Sequence, residues 1–567
     1  MLRASRSVRC GVHAICQDNY FITQWNKSPS KWLTRGLPTA PTEVVVEEAG
    51  LGTAAGAGGD GRTSKSNGNQ EVRPFTAIPG PKPLPLLGNK LFFPTIVKRY
   101  WESMQEVYDK YGPVVKVDRV SGSLDMVIVF RPEDTRKMFQ AEGVYPVRPG
   151  LGILTHYRAK RPHWFTSPGL VPGNGPEWRR LRSAIHPLLR REVVNAYRPA
   201  QTEVANDLVR AIAASSQHNT KHHPSRYIIS DTLSILFHYT LEAVGVVSLG
   251  MRLGCLTSTS ANHQAQSIIR ANTEVLTVLG ESMLQPPIYK LFPTRGYRRL
   301  CAAQDTICRL VSVEVARRRE ELSSDPEGFT QRHPFLASLM TNPDLSLQDV
   351  FLLLVEALQG GIDATATTLG FCLYFLAGNP GVQDQLLEEV QHVQPETHTL
   401  QGLPYLRAVV QETLRLRPSS SSRSRVIQED TILSGYFVPA GAFVVSPPNV
   451  ACHDPQTFPE PDTFKPDRWL FKKRGATLNT TDALSTPSDV ENKPAGEKID
   501  PYTVVAFGHG ARMCPGRRLA EQEIHLALIQ LVKSYKMELA EPGRTVGQMM
   551  RLNMMPDAPL AIAFTPR

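Results

Sequence analysis

The chain has 567 residues, 41% hydrophobic and 20% charged, with a net charge of +10. That length exceeds one ordinary core while the composition marks no second globular unit, so a single large domain with appendages is expected. Eight cysteines lie scattered at 10, 16, 255, 301, 308, 372, 452 and 514 with no C-x-x-C pair, which argues against a disulfide framework or a zinc site and suits a reducing compartment.

The positive charge by itself leaves nucleic acid, an anionic membrane and an acidic protein partner open. Its placement says more. Residues 1–42 carry Arg3, Arg6, Arg9, Lys27, Lys31 and Arg35 against one acid, Asp18, and read as a mitochondrial transit peptide, with a plain basic tail as the alternative. No apolar run near ~20 residues precedes the folded part, so an N-terminal membrane anchor is not expected. Residues 43–75, which contain GLGTAAGAGGDGRTSKSNGNQ, bury too little apolar surface to fold and read as a flexible linker.

The ordered body is expected over 76–567. VVKVDRV, MVIVF and AFVVSP read as short strands on a mainly helical framework. PEWRRLRSAIHPLLRREVVNAY predicts a helical run opening at Pro176, with Trp178 and Arg182 on one face. LQPPIYKLFPTRGYRRL (284–300) mixes aromatic and basic residues, as a membrane-lying surface or ordinary helix packing would.

Residues 346–380 open with Ser346 and Asp349 spaced as a capping box, run almost wholly apolar, and stop at Gly378, Asn379 and Pro380. A helix apolar all round is buried, and Glu356, Gln359 and Asp363 argue against a transmembrane span. Gly360 and Gly361 cost ~1 kcal/mol each relative to alanine in a helix, so something needs room beside them. Residues 472–500 are polar and aperiodic and read as a surface insertion.

AFGHGARMCPGRR (506–518) sets Cys514 among glycines, just ahead of a helix whose apolar face is Ala520, Ile524, Ala527, Leu528 and Leu531. A lone buried cysteine is ordinarily an inert packing residue. Here the exposed N–H groups and the dipole of a helix N-terminus favour a thiolate. With no second cysteine nearby, zinc and iron–sulfur clusters fit badly, whereas haem iron needs only one axial protein ligand.

This stretch resembles the haem-binding loop of cytochrome P450 monooxygenases: Phe507, Gly510, Arg512, Cys514 and Gly516 fall on F-x-x-G-x-R-x-C-x-G. The resemblance implies a mainly α fold with small β-sheets, a triangular helical prism around a buried haem b whose iron is held by the Cys514 thiolate. It implies that Phe507 lies in the haem site and that Trp178, Arg182, Arg425 and Arg512 neutralise the two haem carboxylates. Glu412 and Arg415 of ETLR, with Arg468 of FKPDRW, match the family's buried ionic network. GGIDAT is similar to the family's oxygen-handling groove, making Asp363 a proton relay. Ala364 stands where threonine is usual, leaving Thr365, Thr367, water or a substrate hydroxyl to replace it, unless both threonines simply bond back to the helix.

Basic residues at Arg407, Arg517 and Arg518 resemble the docking face that mitochondrial members offer an adrenodoxin-type ferredoxin, itself served by a ferredoxin reductase. Gln411 stands where those members often carry lysine. YRAKRP, GNGPEWRRLRS, EDTILSGYFVPAG, FKPDRWL, FGHGARMCPGRRLAEQ and MMPDAPL are similar to arthropod ecdysteroid 22-hydroxylases. That likeness implies a steroid substrate hydroxylated with O2, no nucleic acid, and peripheral attachment to the matrix side of the mitochondrial inner membrane. Ecdysone 20-hydroxylation, a broader mitochondrial oxygenase, and a haem sensor without turnover are the alternatives. Ser419 to Ser422 either bond steroid hydroxyls or form a serine-rich turn.

Overall fold

A computed structural model describes residues 71–82, 99–120, 124–215, 226–257, 259–283, 285, 287–397, 400–470 and 499–567. The expected presequence, most of the 43–75 linker and nearly all of the 472–500 insertion lie outside these residues.

Helices dominate the described chain: α1 Tyr100–Tyr111, α2 Pro132–Gln140, α3 Gly152–Ala159, α4 Gly175–Ala184, α5 Arg191–Ala196, α6 Arg198–Ala214, α7 Thr232–Ser248 and α8 Thr259–Met283. They continue as α9 Arg295–Ser324, α10 Pro326–Arg332, α11 Pro334–Met340, α12 Leu347–Gly378, α13 Pro380–Val390, α14 Pro404–Leu416, α15 Asn449–Cys452 and α16 Arg517–Ser534. The three expected strands appear as β1 Val114–Val120, β2 Leu124–Val129 and, later in the chain, Phe443–Ser446. β3 is Tyr227–Ile229, β4 Arg423–Val426, β5 Thr431–Leu433, β6 Tyr436–Val438 and β7 Phe443–Ser446. β1, β2, β7 and β4 lie side by side in one sheet, with β2 and β7 parallel and the other pairs antiparallel. A smaller sheet joins β3 to β8 Tyr535–Leu539 through the C-terminal strand 562–566.

The central helix α12 starts where its sequence says it should. Ser346 Oγ accepts the Asp349 N–H at 3.1 Å, and the Asp349 carboxylate accepts the Ser346 N–H at 2.9 Å. The same carboxylate holds Arg180 of α4, tying the two helices together. By length and composition α12 is able to cross a membrane, but 67% of its most apolar stretch is buried inside the protein, as a core helix would be. Its paired glycines serve two purposes. A Cβ on Gly361 would come within 2.6 Å of Val244 on α7, so that glycine lets two helices approach; at Gly360 nothing lies within 4 Å.

The run from Pro176 does not form one helix. It breaks into α4, a 3-10 turn over His186–Leu189, and α5. Pro187 supplies no N–H and disfavours helical torsions at the preceding residue, which ends the first helix and turns the chain.

Candidate active site

Cys514 sits on a tightly folded loop. Its N–H donates to the Phe507 carbonyl at 2.8 Å, and Gly508 and Gly510 adopt left-handed torsions at φ 74° and 72°. A Cβ at Gly510 would also meet the Glu142 carboxylate at 2.5 Å. Helix α16 follows and buries Ile524, Ala527, Leu528 and Leu531 as the apolar spacing predicts. Burial pushes the thiol up, outweighing the Gly516 backbone N–H and the Arg182 and Arg423 charges that pull it down. A bound metal ion is what completes deprotonation of such a thiol.

Around the loop the structure gathers arginines. Arg423 and Arg425 are two apart on β4 and share a face. The Arg423 guanidinium donates to the Val505 and Ala506 carbonyls at 2.7 and 2.6 Å, gripping the approach to the loop. Arg425 pairs with Glu142 at 2.5 Å and lies over the Phe139 ring. Arg512 donates to the Pro146 and Gly173 carbonyls and to Asn174 Oδ1, and sits 4.3 Å over the Trp178 ring. Because Asn174 Oδ1 accepts from Arg512 and from the Arg148 N–H, it does not cap α4. Arg182 donates to the Ala511 and Met513 carbonyls, while its Nη1 is buried without a partner.

The expected group of Trp178, Arg182, Arg425, Phe507 and Arg512 is therefore brought to the Cys514 loop. Arg148, Arg423 and Glu142 join it, and the sequence reading missed all three. Arg423 was within reach, since SRSRV as a strand puts both its arginines on one side. Arg148 and Glu142 come from a distant loop and carry no local signal.

Charge balance in this cluster tests whether a haem suits it. Arg148, Arg423, Arg425 and Arg512 surround one carboxylate, Glu142. Burial, then mutual repulsion, lowers Arg148 and Arg423 to about 10 and Arg512 to about 9. Crowded, desolvated cations call for anions, and the two carboxylates of a haem, with a thiolate, fit that deficit. Room is available on α12 as well. Gly360 is exposed, and Ala357 and Ala364, three before and four after it, are only half-buried on a mostly buried helix.

Thr365 does not share that opening. One residue on from Ala364 is about 100° round the helix, and Thr365 is 3% exposed on the core stripe of Leu358, Ile362 and Leu369. It is thus misplaced for the hydroxyl role expected of it. Thr367 donates to the Met555 sulfur at 3.3 Å, and the back-bonding threonine is Thr368, to the Ala364 carbonyl at 2.8 Å.

Asp363 is buried but not unpaired. Asn272 on α8, wholly buried, donates from its Nδ2 to the Asp363 carboxylate, while its own Oδ1 is buried without a partner. Burial raises Asp363 to about 7 against the Asn272 hydrogen bond and the Arg551 charge. A raised acid favours the folded state when protonated. That stability is fully present below the ordinary value of 3.8 and is lost as pH rises through about 7. Asp363→Asn, neutral throughout, is expected to match wild type in melting temperature near pH 4 and to exceed it at pH 8. Parallel thermal melts across that range check this, and a constant difference would show that Asp363 does not titrate there.

Behind the loop, Glu412 and Arg415 of α14 are fully buried and bound at 2.8 and 2.9 Å. Arg468 and the Trp469 ring N–H each donate to the same carboxylate at 2.9 Å, and the Lys465 N–H at 3.1 Å. Arg415 also holds the Cys452 and Pro461 carbonyls at 2.7 Å. The expected triad is present, and Trp469 is an addition. On the surface, Arg517 is exposed, paired with Glu521 and stacked over Phe507, and Arg518 is half-buried beside Arg191. Arg407 is half-buried on α14, where its charge reaches Glu389 and the buried His525. The serine run 419–422 is partly engaged: Ser420 bonds the Ser422 carbonyl, and Ser421 and Ser422 face the Tyr100 hydroxyl.

Comparison with known proteins agrees with this geometry. The cytochrome P450 family model matches residues 78–562. Similar Drosophila melanogaster proteins include probable cytochrome P450 49a1, 31% identical over 88% of this chain and 83% of its own length. Ecdysone 20-monooxygenase is 30% identical over 86% and 88%, and mitochondrial cytochrome P450 302a1 is 30% identical over 87% and 95%. A lone cysteine on a glycine-bent loop, beside more arginines than the single carboxylate of Glu142 balances, needed a partner that no zinc or iron–sulfur site supplies, and the match across nearly the whole folded body explains it: this chain belongs to the cytochrome P450 family of haem-thiolate monooxygenases.

Proposed function

We propose that this monooxygenase is a mitochondrial steroid hydroxylase acting on side-chain carbon 22 of an ecdysteroid precursor. The observation that carries the steroid reading is the likeness to a protein named ecdysone 20-monooxygenase and to a mitochondrial P450 over most of each chain. The segments similar to ecdysteroid 22-hydroxylases favour carbon 22 over carbon 20.

The bound haem supplies activation of O2, with two electrons and two protons, and insertion of one oxygen atom into a C–H bond. Cys514 would hold the haem iron through its thiolate. Arg148, Arg182, Arg423, Arg425 and Arg512, with Trp178, would bind and orient its carboxylates by charge-assisted hydrogen bonds, and Phe507 would pack in the same site. Asp363 holds and releases a proton at its carboxylate, and Asn272 fixes that carboxylate in place. Ala364 offers no hydroxyl at this turn, and with Thr365 in the core and Thr367 on Met555, a water or a substrate hydroxyl completes the proton route. The Glu412–Arg415–Arg468 network braces the chain behind the haem loop.

Arg407, Arg517 and Arg518, joined by Arg191, form the face for an acidic ferredoxin of the adrenodoxin type, which receives electrons from its reductase. Complementary charge steers such an encounter. The presequence at 1–42 delivers the protein to the matrix. Ile288, Leu291 and Phe292, 42%, 85% and 59% exposed, provide an apolar surface for peripheral contact with the inner membrane.

The test is reconstitution with a mitochondrial ferredoxin and its reductase on a panel of ecdysteroid precursors, with products identified by mass spectrometry and NMR. Hydroxylation at carbon 22 is expected. A product at carbon 20 would keep the steroid class and overturn the regiochemistry. Haem spectra without turnover on any precursor would favour a sensor, the reading that Ala364 alone supports.

A further inference from the structure

Four of the chain's 13 methionines fall within residues 549–555. They lie on a two-stranded hairpin, β9 Gln548–Met550 and β10 Met554–Pro556, whose antiparallel register sets Met549 opposite Met555 and Met550 opposite Met554. Successive side chains of a strand point to opposite faces, and directly opposed residues share one. The packing follows that rule. Met555 and Met549 join the main core that contains α12, whereas Met554 and Met550 pack in the small core of Tyr100, Val115 and Ile128.

The first pair meets α12 beside its opening. Thr367 donates its hydroxyl to the Met555 sulfur, and Thr367 stands three residues, less than one turn, beyond Ala364. The hairpin is fixed there. The Gln548 side chain accepts the Trp101 ring N–H at 2.8 Å and donates to the Pro418 carbonyl at 3.2 Å, and the Met554 N–H donates to the Ser419 carbonyl at 3.0 Å. The hairpin tip lies so close to α8 that a Cβ on Gly280 would come within 2.8 Å of the Arg551 carbonyl carbon. A buried thioether is thus held within a turn of the residue that lacks the usual hydroxyl.

Thioethers are among the side chains most readily oxidised. When O2 takes up two electrons and two protons and no C–H bond receives oxygen, the product is hydrogen peroxide, and it arises on this side of α12. We propose that Met555, backed by Met549, is an oxidation site that consumes such peroxide before it attacks the haem. A sulfur lone pair attacks one peroxide oxygen, the O–O bond breaks, and the departing hydroxide takes the proton of the transferred oxygen and leaves as water. Sulfur is oxidised by two electrons to the sulfoxide, and the peroxide is reduced by two. The Thr367 hydroxyl keeps its role, because the sulfoxide oxygen accepts a hydrogen bond. Methionine sulfoxide reductases restore the thioether, so the site is renewable. It depends on the family's oxygen chemistry, whatever the substrate.

The experiment is peptide mass spectrometry of the full-length, haem-loaded protein after NADPH-driven turnover through a mitochondrial ferredoxin and its reductase, without substrate and with excess catalase in the buffer. Protein that draws no NADPH this way is supplied with electrons by photoreduction, which keeps failure of the ferredoxin docking apart from failure of the oxidation site. Sulfoxide is expected to be several-fold higher at Met555 and Met549 than at Met550 and Met554, or than at Met283, which is 44% exposed. Peroxide added from outside, without turnover, is expected to reverse the order and oxidise Met283 first. Equal sulfoxide in the two hairpin pairs, or more at Met283 than at Met555 under catalase, would overturn the site.

Met549→Leu with Met555→Leu, a swap that keeps volume and apolarity, is expected to lose haem absorbance several-fold faster than wild type per NADPH consumed. Met550→Leu with Met554→Leu is expected to match wild type. Bleaching that rises in neither variant, or in both alike, would overturn the sparing of the haem.

Discussion

Cys514→Ala is expected to abolish thiolate-ligated haem. The reduced, carbon monoxide-bound protein should lose its thiolate-type absorption band, and hydroxylation should fall below detection. The size of the effect follows from position. The Cys514 loop is held by the Phe507 carbonyl, by Arg423 on its approach and by Arg182 on the Ala511 and Met513 carbonyls, so it does not depend on the thiol for its shape. Alanine therefore removes the ligand and leaves the cradle. The arginine cluster is expected to retain some haem through its carboxylates, giving a protein that binds the cofactor weakly without the thiolate spectrum. None of the other free cysteines of the described chain lies on this loop: Cys255, Cys301, Cys308, Cys372 and Cys452 stand elsewhere in the fold. A surviving thiolate-type spectrum in Cys514→Ala would refute the ligand assignment.

Glu412→Ala is expected to prevent accumulation of holoprotein. Its carboxylate neutralises Arg415, which is fully buried, and Arg468, 9% exposed at its side chain, and it also accepts from the Trp469 ring and the Lys465 backbone. Removing one partner of a buried ion pair leaves an uncompensated charge and costs roughly 3–5 kcal/mol, a large part of the usual stability of a domain. Two arginines are stranded here instead of one. Trp469 and Lys465 donate to different oxygens of Glu412, so Glu412→Gln loses the charge and keeps an acceptor for only one of them; it is expected to fold with a lowered melting temperature and reduced haem content, between alanine and wild type. Haem absorbance per protein and thermal melts measure both variants. Full haem content in Glu412→Ala would show that the network is dispensable.

Features whose partners are close in the chain were legible in the sequence. Ser346 and Asp349 cap α12 three residues apart, Gly378 to Pro380 end it, Glu412 and Arg415 meet one turn apart on α14, and the glycines around Cys514 bend their own loop. In each case a period of three or four residues, or a backbone torsion, decides the geometry. Where a local rule competed with another, the pattern misled. The start signal at Pro176 opened a helical run that was carried through Pro187, although a proline breaks a helix interior. Proximity of Thr365 to Ala364 suggested a substitute hydroxyl, although one residue along a helix turns the side chain about 100° away.

Pairing across long separations comes from the folded chain alone. Glu142 meets Arg425 across 283 residues, and Asn272 meets Asp363 across 91. Arg148 joins arginines from β4 and the haem loop. No periodicity links such positions. Their ionisation and their role depend on desolvation and on which charges packing brings within a few ångströms, and packing of the whole chain alone sets both.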